Sequence, residues 1–276
     1  MLRKLIKHEW TASWKVYGII NLYMIIVTFF SVVTAVLTFK QKDPNEFVIM
    51  FTVMTLILYY FSLIGVNVAP NLYSAVRYYK NFYANEGYLM HTLPVTKHQL
   101  ICSKTIVALI WMLISIVVGM CSIVTVGLSI LYTLERDIEW GVFWEEFHKG
   151  VAVIQNELKT PIIVFIIAFI IIFLIGLIVG ILNFYTCISL GQLAKKHKIL
   201  VSIAIYIGLQ TVTQIFGCLL QVPLMMLESD IGGEFVVGPD AILWGVIGIA
   251  ALISLIMAVA YYAICYFIMK KKINLD

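Results

Sequence analysis

Charge is scarce in this sequence: only 12% of its 276 residues are Asp, Glu, Lys or Arg, while 62% are hydrophobic. That balance, with a mean hydropathy of +0.99, excludes a soluble globular domain of this length. Reactive motifs are missing as well. No GxxxxGK[ST] stretch occurs, so the chain has no phosphate-cradling loop of its own. "HEWTASW" (residues 8–14) starts like a zinc-protease helix, but Ala12 stands where the second histidine is required. The five cysteines, Cys102, Cys121, Cys187, Cys218 and Cys265, lie in or beside apolar runs with no CxxC spacing. They read as small buried apolar groups, not as a disulfide or metal framework. "WEEFHK" gathers Glu145, Glu146 and His148, but on the polar side of a helical pattern, where a solvated face accounts for them. No catalytic residue and no metal ligand is assigned, and the chain is not expected to be an enzyme.

Apolar runs fill the sequence instead, at 16–39, 47–70, 105–134, 160–190, 200–227 and 241–269. Each covers the ~30 Å hydrocarbon core at ~1.5 Å per residue. Backbone groups in lipid must pair within their own segment, so each run is expected to be a helix. The predicted fold class is therefore an all-α membrane protein with six transmembrane helices in a single domain over residues 1–276. The first run has no small-residue cleavage site and is too long for a signal-peptide core, so it is expected to stay as an anchor.

Lysines and arginines are distributed unevenly. With the N-terminus inside, the inner segments carry 14 Lys and Arg and the outer segments five, and the outer segments hold 12 of the 15 acids. The positive-inside rule then places both termini in the cytoplasm. The net charge of +4 reflects this topology and does not imply nucleic-acid binding.

Between the runs, "MLRKLIKHEWTASWK" (1–15) spaces Leu2, Leu5, Ile6, Trp10 and Trp14 helically, with Arg3, Lys4 and Lys7 on the other side. An interfacial amphipathic helix leading into the first span is predicted. Tyr78, Tyr79, Phe82 and Tyr83 carry the second helix past its apolar run, with Gly87 as a break. Pro94 disfavours helix at Leu93, and Thr96 with Gln99 makes a capping box that starts the next helix. A short element, about 84 to 93, is left facing the cytosol. Outside, 135–160 spaces Trp140, Phe143, Trp144, Phe147, Val151, Ile154 and Leu158 by threes and fours, which predicts an amphipathic surface helix.

The spans hold no Asp, Glu, Lys, Arg or His away from their ends, which argues against an ion-coupled carrier. They do hold neutral polar stripes: Gln210, Gln214, Gly217 and Gln221 on the fifth, and Thr52, Thr55, Tyr59 and Ser62 on the second. Such groups either hydrogen-bond between helices or border a polar pathway.

This layout resembles the permease subunits of bacterial type-2 ABC exporters, the ABCG-like fold. The most specific part is "EGYLMHTLPVTKHQLICSK", with Glu86, Gly87, Leu93, Pro94, Val95, Thr96, Ser103 and Lys104 at the positions of that family's motif. The resemblance implies that 84–96 is a coupling helix docked on a separate cytosolic ATPase subunit, with Glu86, Gly87, Tyr88, Leu89, Met90, Leu93, Pro94 and Thr96 facing it. It implies two ATPase copies that bind the ATP and magnesium, this chain holding no cofactor. It also implies a second permease subunit, identical or homologous, in the plasma membrane. The pathway between the two permeases would be lined from the second and fifth spans, here by Thr55, Tyr59, Ser62, Gln210, Gln214 and Gln221. Two departures stand out: the segment 228–240 is short for the family's re-entrant hairpin, and the larger outer element follows the third span. A membrane-bound sensor or immunity protein that binds a ligand without moving it is the alternative class.

Overall fold

The computed structural model describes residues 1–41, 44–84, 87, 95–134, 140–194, 196–226 and 239–271. Among them are seven long helices and no strand: α1 (Leu2–Lys40), α2 (Glu46–Tyr83), α3 (Lys97–Leu134), α4 (Trp140–Glu157), α5 (Ile162–Gly191), α6 (Lys198–Met226) and α7 (Pro239–Lys271). All but α4 are long and apolar enough to cross a membrane. The regular structure among the described residues is thus all helical, with six candidate spans, as the apolar runs predict.

Local chemistry sets several helix ends. The Thr96 hydroxyl accepts the Gln99 backbone N–H at 3.3 Å, the cap that the T-x-x-Q pattern predicts. Pro161 immediately precedes α5, and Pro239 opens α7 where a missing N–H removes no helical bond. His197, just before α6, adopts a left-handed φ of 54° and turns the chain between α5 and α6.

The predicted interfacial helix at 1–15 leads into the predicted span at 16–39 without a break. Residues 2–40 form one uninterrupted helix, because nothing between Lys15 and Gly18 breaks the hydrogen-bond ladder. At ~1.5 Å per residue α1 and α2 are each nearly 60 Å long, about twice a hydrocarbon core, so both extend well beyond it. α2 passes through Pro70 without ending, and its final turns are the predicted aromatic extension.

The chain divides into two compact units: one of 1–77 with 94–140, the other of 78–93 with 141–276. In the first unit α1 packs along α3. Its core joins Met24 and Val27 of α1, Tyr59 and Val66 of α2, and Val126 of α3. In the second unit α5 packs against both α7 and α6. Gly191 makes the α5–α6 turn possible: a Cβ there would lie 2.9 Å from the Lys198 carbonyl oxygen and 2.9 Å from the Ser202 Cα.

Candidate functional site

Most residues assigned to the coupling element, namely Glu86, Tyr88, Leu89, Met90, Leu93 and Pro94, lie outside the described residues. Gly87 is buried and helical, its N–H donating to the Ala84 carbonyl at 2.7 Å. The helix ends that bracket this segment are well defined, and each carries a buried polar cluster.

In the first unit the cluster is ionic. Glu9 sits on α1 at 4% exposure, between a cation of α2 and a cation of α3. Lys104 Nζ donates to Glu9 Oε1 at 2.6 Å, and Arg77 Nε donates to Oε2 at 2.8 Å. Arg77 also donates from Nη1 to the Ala12 carbonyl at 3.0 Å, so it grips two turns of α1. An aromatic stack lies over the same region: Trp10 on Trp111 at 4.6 Å, Trp111 on Tyr17 at 5.2 Å, and Tyr73 edge-on to Tyr17 at 4.9 Å. Burial alone pushes the Glu9 carboxyl up, but Lys104 and Arg77 together outweigh it and hold the group below the usual carboxylate range. The glutamate is therefore ionised at neutral pH. Low local polarity strengthens both ion pairs and makes either cation expensive to leave alone.

Sequence reasoning missed this cluster. Its signal was available: Glu9 shares a helix face with Leu2, Ile6 and Ser13, and a carboxylate on an apolar face needs a cationic partner.

In the second unit the cluster is neutral. The Tyr78 ring stacks on Tyr185 at 4.1 Å, and the Tyr78 and Tyr83 hydroxyls meet Ser189 Oγ of α5 at 3.0 and 2.9 Å. Phe82 packs edge-on against Tyr78, and both are fully buried. Burial pushes the Tyr83 phenol up to about 12, so it stays a neutral donor. One turn before Ser189, Thr186 donates to the Leu182 and Tyr261 carbonyls. The last turns of α2 are thus clasped to α5.

The polar stripes are placed differently. On α2, Thr52, Tyr59 and Ser62 are buried and Thr55 is half-buried. All four bond across helices of the first unit: Thr52 with Thr38 at 2.5 Å, Thr55 with Thr34 at 2.8 Å, Ser62 with Tyr23 at 3.1 Å, and Tyr59 with Ser122 at 2.9 Å. Between α1 and α2 this seam borders an apolar groove of about 310 Å³, lined by Val27, Phe30, Phe51, Met54 and Leu58 with Ser31 and Thr55. On α6, Gln210 and Gln214 are exposed, and Gln210 Oε1 accepts from Asn183 Nδ2 at 3.4 Å. Gln221 lies in the helix, with its side chain outside the described residues.

Glu145 and Glu146 pair with Lys149 on an exposed face of α4, as the solvated reading of "WEEFHK" predicts. Among the described residues no three His, Cys, Asp or Glu side chains gather to hold a metal ion. No family model, curated protein or solved structure matches the chain.

Proposed function

We propose that the chain is the membrane-spanning permease subunit of an ATP-driven exporter of the type-2 ABC class. The supporting observation is how the polar link 84–96 is held. On its α2 side, Arg77 is bound to Glu9 and Tyr78 and Tyr83 to Ser189; on its α3 side, Thr96 caps the helix and Lys104 is bound to Glu9. Displacing a link fixed at both ends moves the helices themselves, which is what a coupling element requires.

In this reading two ATPase copies supply hydrolysis with their own ATP and magnesium, and Glu86, Tyr88, Leu89 and Met90 meet one of them. The N-terminus, the link and the C-terminus face the cytoplasm, in line with the 14 to 5 excess of inner Lys and Arg. Two permeases enclose the pathway. Gln210, Gln214 and Gln221 supply its polar lining, since the α2 hydroxyls Thr55, Tyr59 and Ser62 are already bonded within the first unit and would reach a substrate only by exchanging those bonds.

Isolation of the tagged full-length chain from native membranes in mild detergent tests the assignment. A stoichiometric ATP-hydrolysing subunit carrying a P-loop is the expected companion. A chain that purifies without one, with or without added ATP and magnesium, contradicts it.

A further inference from the structure

The helix α4 is the one described helix that is not a candidate span, and its C-terminal end is hydrogen-bonded to the chain that follows it. Its Gln155 makes two bonds to the start of the next helix: Oε1 accepts the Ile162 N–H at 2.8 Å, and Nε2 donates to the Thr160 carbonyl at 3.3 Å. Ile162 opens α5, so a side chain of α4 satisfies one of the orphan donors of a candidate span. Thr160 N–H in turn donates to Asp240 Oδ2 in the first turn of α7, another candidate span. The C-terminal end of α4 is therefore tied to the level at which two apolar helices begin. Its N-terminal end hangs from Leu134, the last residue of α3, by the residues 135–139 alone. That link reaches at most about 20 Å when fully extended.

A rod of 18 residues, about 27 Å long, is thus tied at both ends to the ends of candidate spans. Most of its side chains are sorted to match, with Val142 and Val153 as exceptions on the polar side. Trp140, Phe143, Trp144, Phe147, Val151 and Ile154 fall within one arc of about 100°, while Glu145, Lys149 and Asn156 point the opposite way. Trp144 and Phe147 are 53% and 52% exposed, whereas the ion pairs of Lys149 with Glu145 and Glu146 occupy the polar face.

We propose that α4 lies flat in the bilayer interface, with Trp144, Phe147 and Ile154 at the headgroup–acyl boundary and Lys149 in water. The occupant of the aromatic face is lipid: the face sits at the depth where indole and phenyl rings are most favourably placed. The polar face carries Glu145 and Glu146 against the single Lys149, so the attachment rests on apolar burial and needs no anionic lipid. Such a helix would couple the tilt of α5 and α7 to the outer surface of the bilayer.

Depth measurement by spin labelling tests this on the full-length protein in phosphatidylcholine vesicles. Cys102, Cys121 and Cys218 are replaced by serine, the buried Cys187 and Cys265 are kept, and either Phe147→Cys or Lys149→Cys is labelled. The label at 147 should collide severalfold more with oxygen, relative to a water-soluble nickel chelate, than the label at 149. The preference should persist at high salt. Equal nickel access at both positions would mean that α4 stands in water. Shielding of position 147 from oxygen and nickel alike would mean that protein covers the face. Either result overturns the proposal.

Discussion

Lys104 on α3 reaches back 95 residues to place its ammonium 2.6 Å from Glu9 on α1, and Arg77 holds the other oxygen of the same carboxylate. One buried glutamate thereby ties three helices of the first unit together. Glu9→Gln keeps the shape but leaves two cations short of an anion. Removing one partner of a buried pair costs roughly 3–5 kcal/mol. The thermal midpoint of the detergent-solubilised protein should fall markedly, and Glu9→Gln with Lys104→Met should recover part of the loss. A double variant no better than the single one would show that Lys104 is not coupled to Glu9.

The same carboxylate predicts a pH dependence. Its folded pKa lies below the unfolded value, so the stability it contributes is fully present above the ordinary glutamate range and is lost as pH falls through the folded value. The difference in thermal midpoint between wild type and Glu9→Gln should therefore be constant near neutrality and shrink in acid. A difference that does not change with pH would contradict an ionised Glu9.

Ser189→Ala removes the shared partner of Tyr78 and Tyr83. A buried hydroxyl left without its bond costs roughly 1–3 kcal/mol, here toward the low end because the two phenols can still bond each other. Thermal unfolding of the variant should show that loss. If the protein is the proposed exporter subunit and the clasp transmits force to the link, ATP hydrolysis by the complex should rise relative to transport. Unchanged stability would show that the clasp contributes nothing.

Gly191→Ala tests the tight α5–α6 turn. Its Cβ would meet backbone on two sides, which cannot rotate away, so a destabilisation of about 1–3 kcal/mol is expected from thermal unfolding. Gly176→Ala and Gly180→Ala, whose added carbon would meet no atom of another element within 4 Å among the described residues, should be near neutral in the same assay. The GxxxG spacing of these last two would, by itself, have suggested the reverse.

Much of the architecture was legible because hydropathy over twenty residues is a strong signal, and the Thr96 cap because its chemistry is local. The continuity of α1 was not, since amphipathic 1–15 and apolar 16–39 differ in what surrounds them and not in backbone geometry. The Glu9 cluster joins residues 68 and 95 positions apart, beyond the reach of periodicity. The α2 stripe showed that hydroxyls share a face; only the positions of Thr34, Thr38, Tyr23 and Ser122 show what they bond.

The proposed orientation has its own check. His98 and Glu146 are both exposed, so cysteines there are suitable reporters. In intact cells an impermeant thiol reagent should label Glu146→Cys and leave His98→Cys untouched until the membrane is opened. The opposite pattern would invert the topology.

If residues 84–96 receive force from an ATPase, as proposed, Leu89→Asp should disrupt that contact. A carboxylate buried in an apolar contact costs several kcal/mol unless it finds a partner. Partner binding, ATP hydrolysis and export should be measured side by side for wild type and variant, with membrane insertion as the control. Normal insertion is expected, with loss of the ATPase subunit or with hydrolysis that continues without export. Unchanged binding and unchanged export would contradict it.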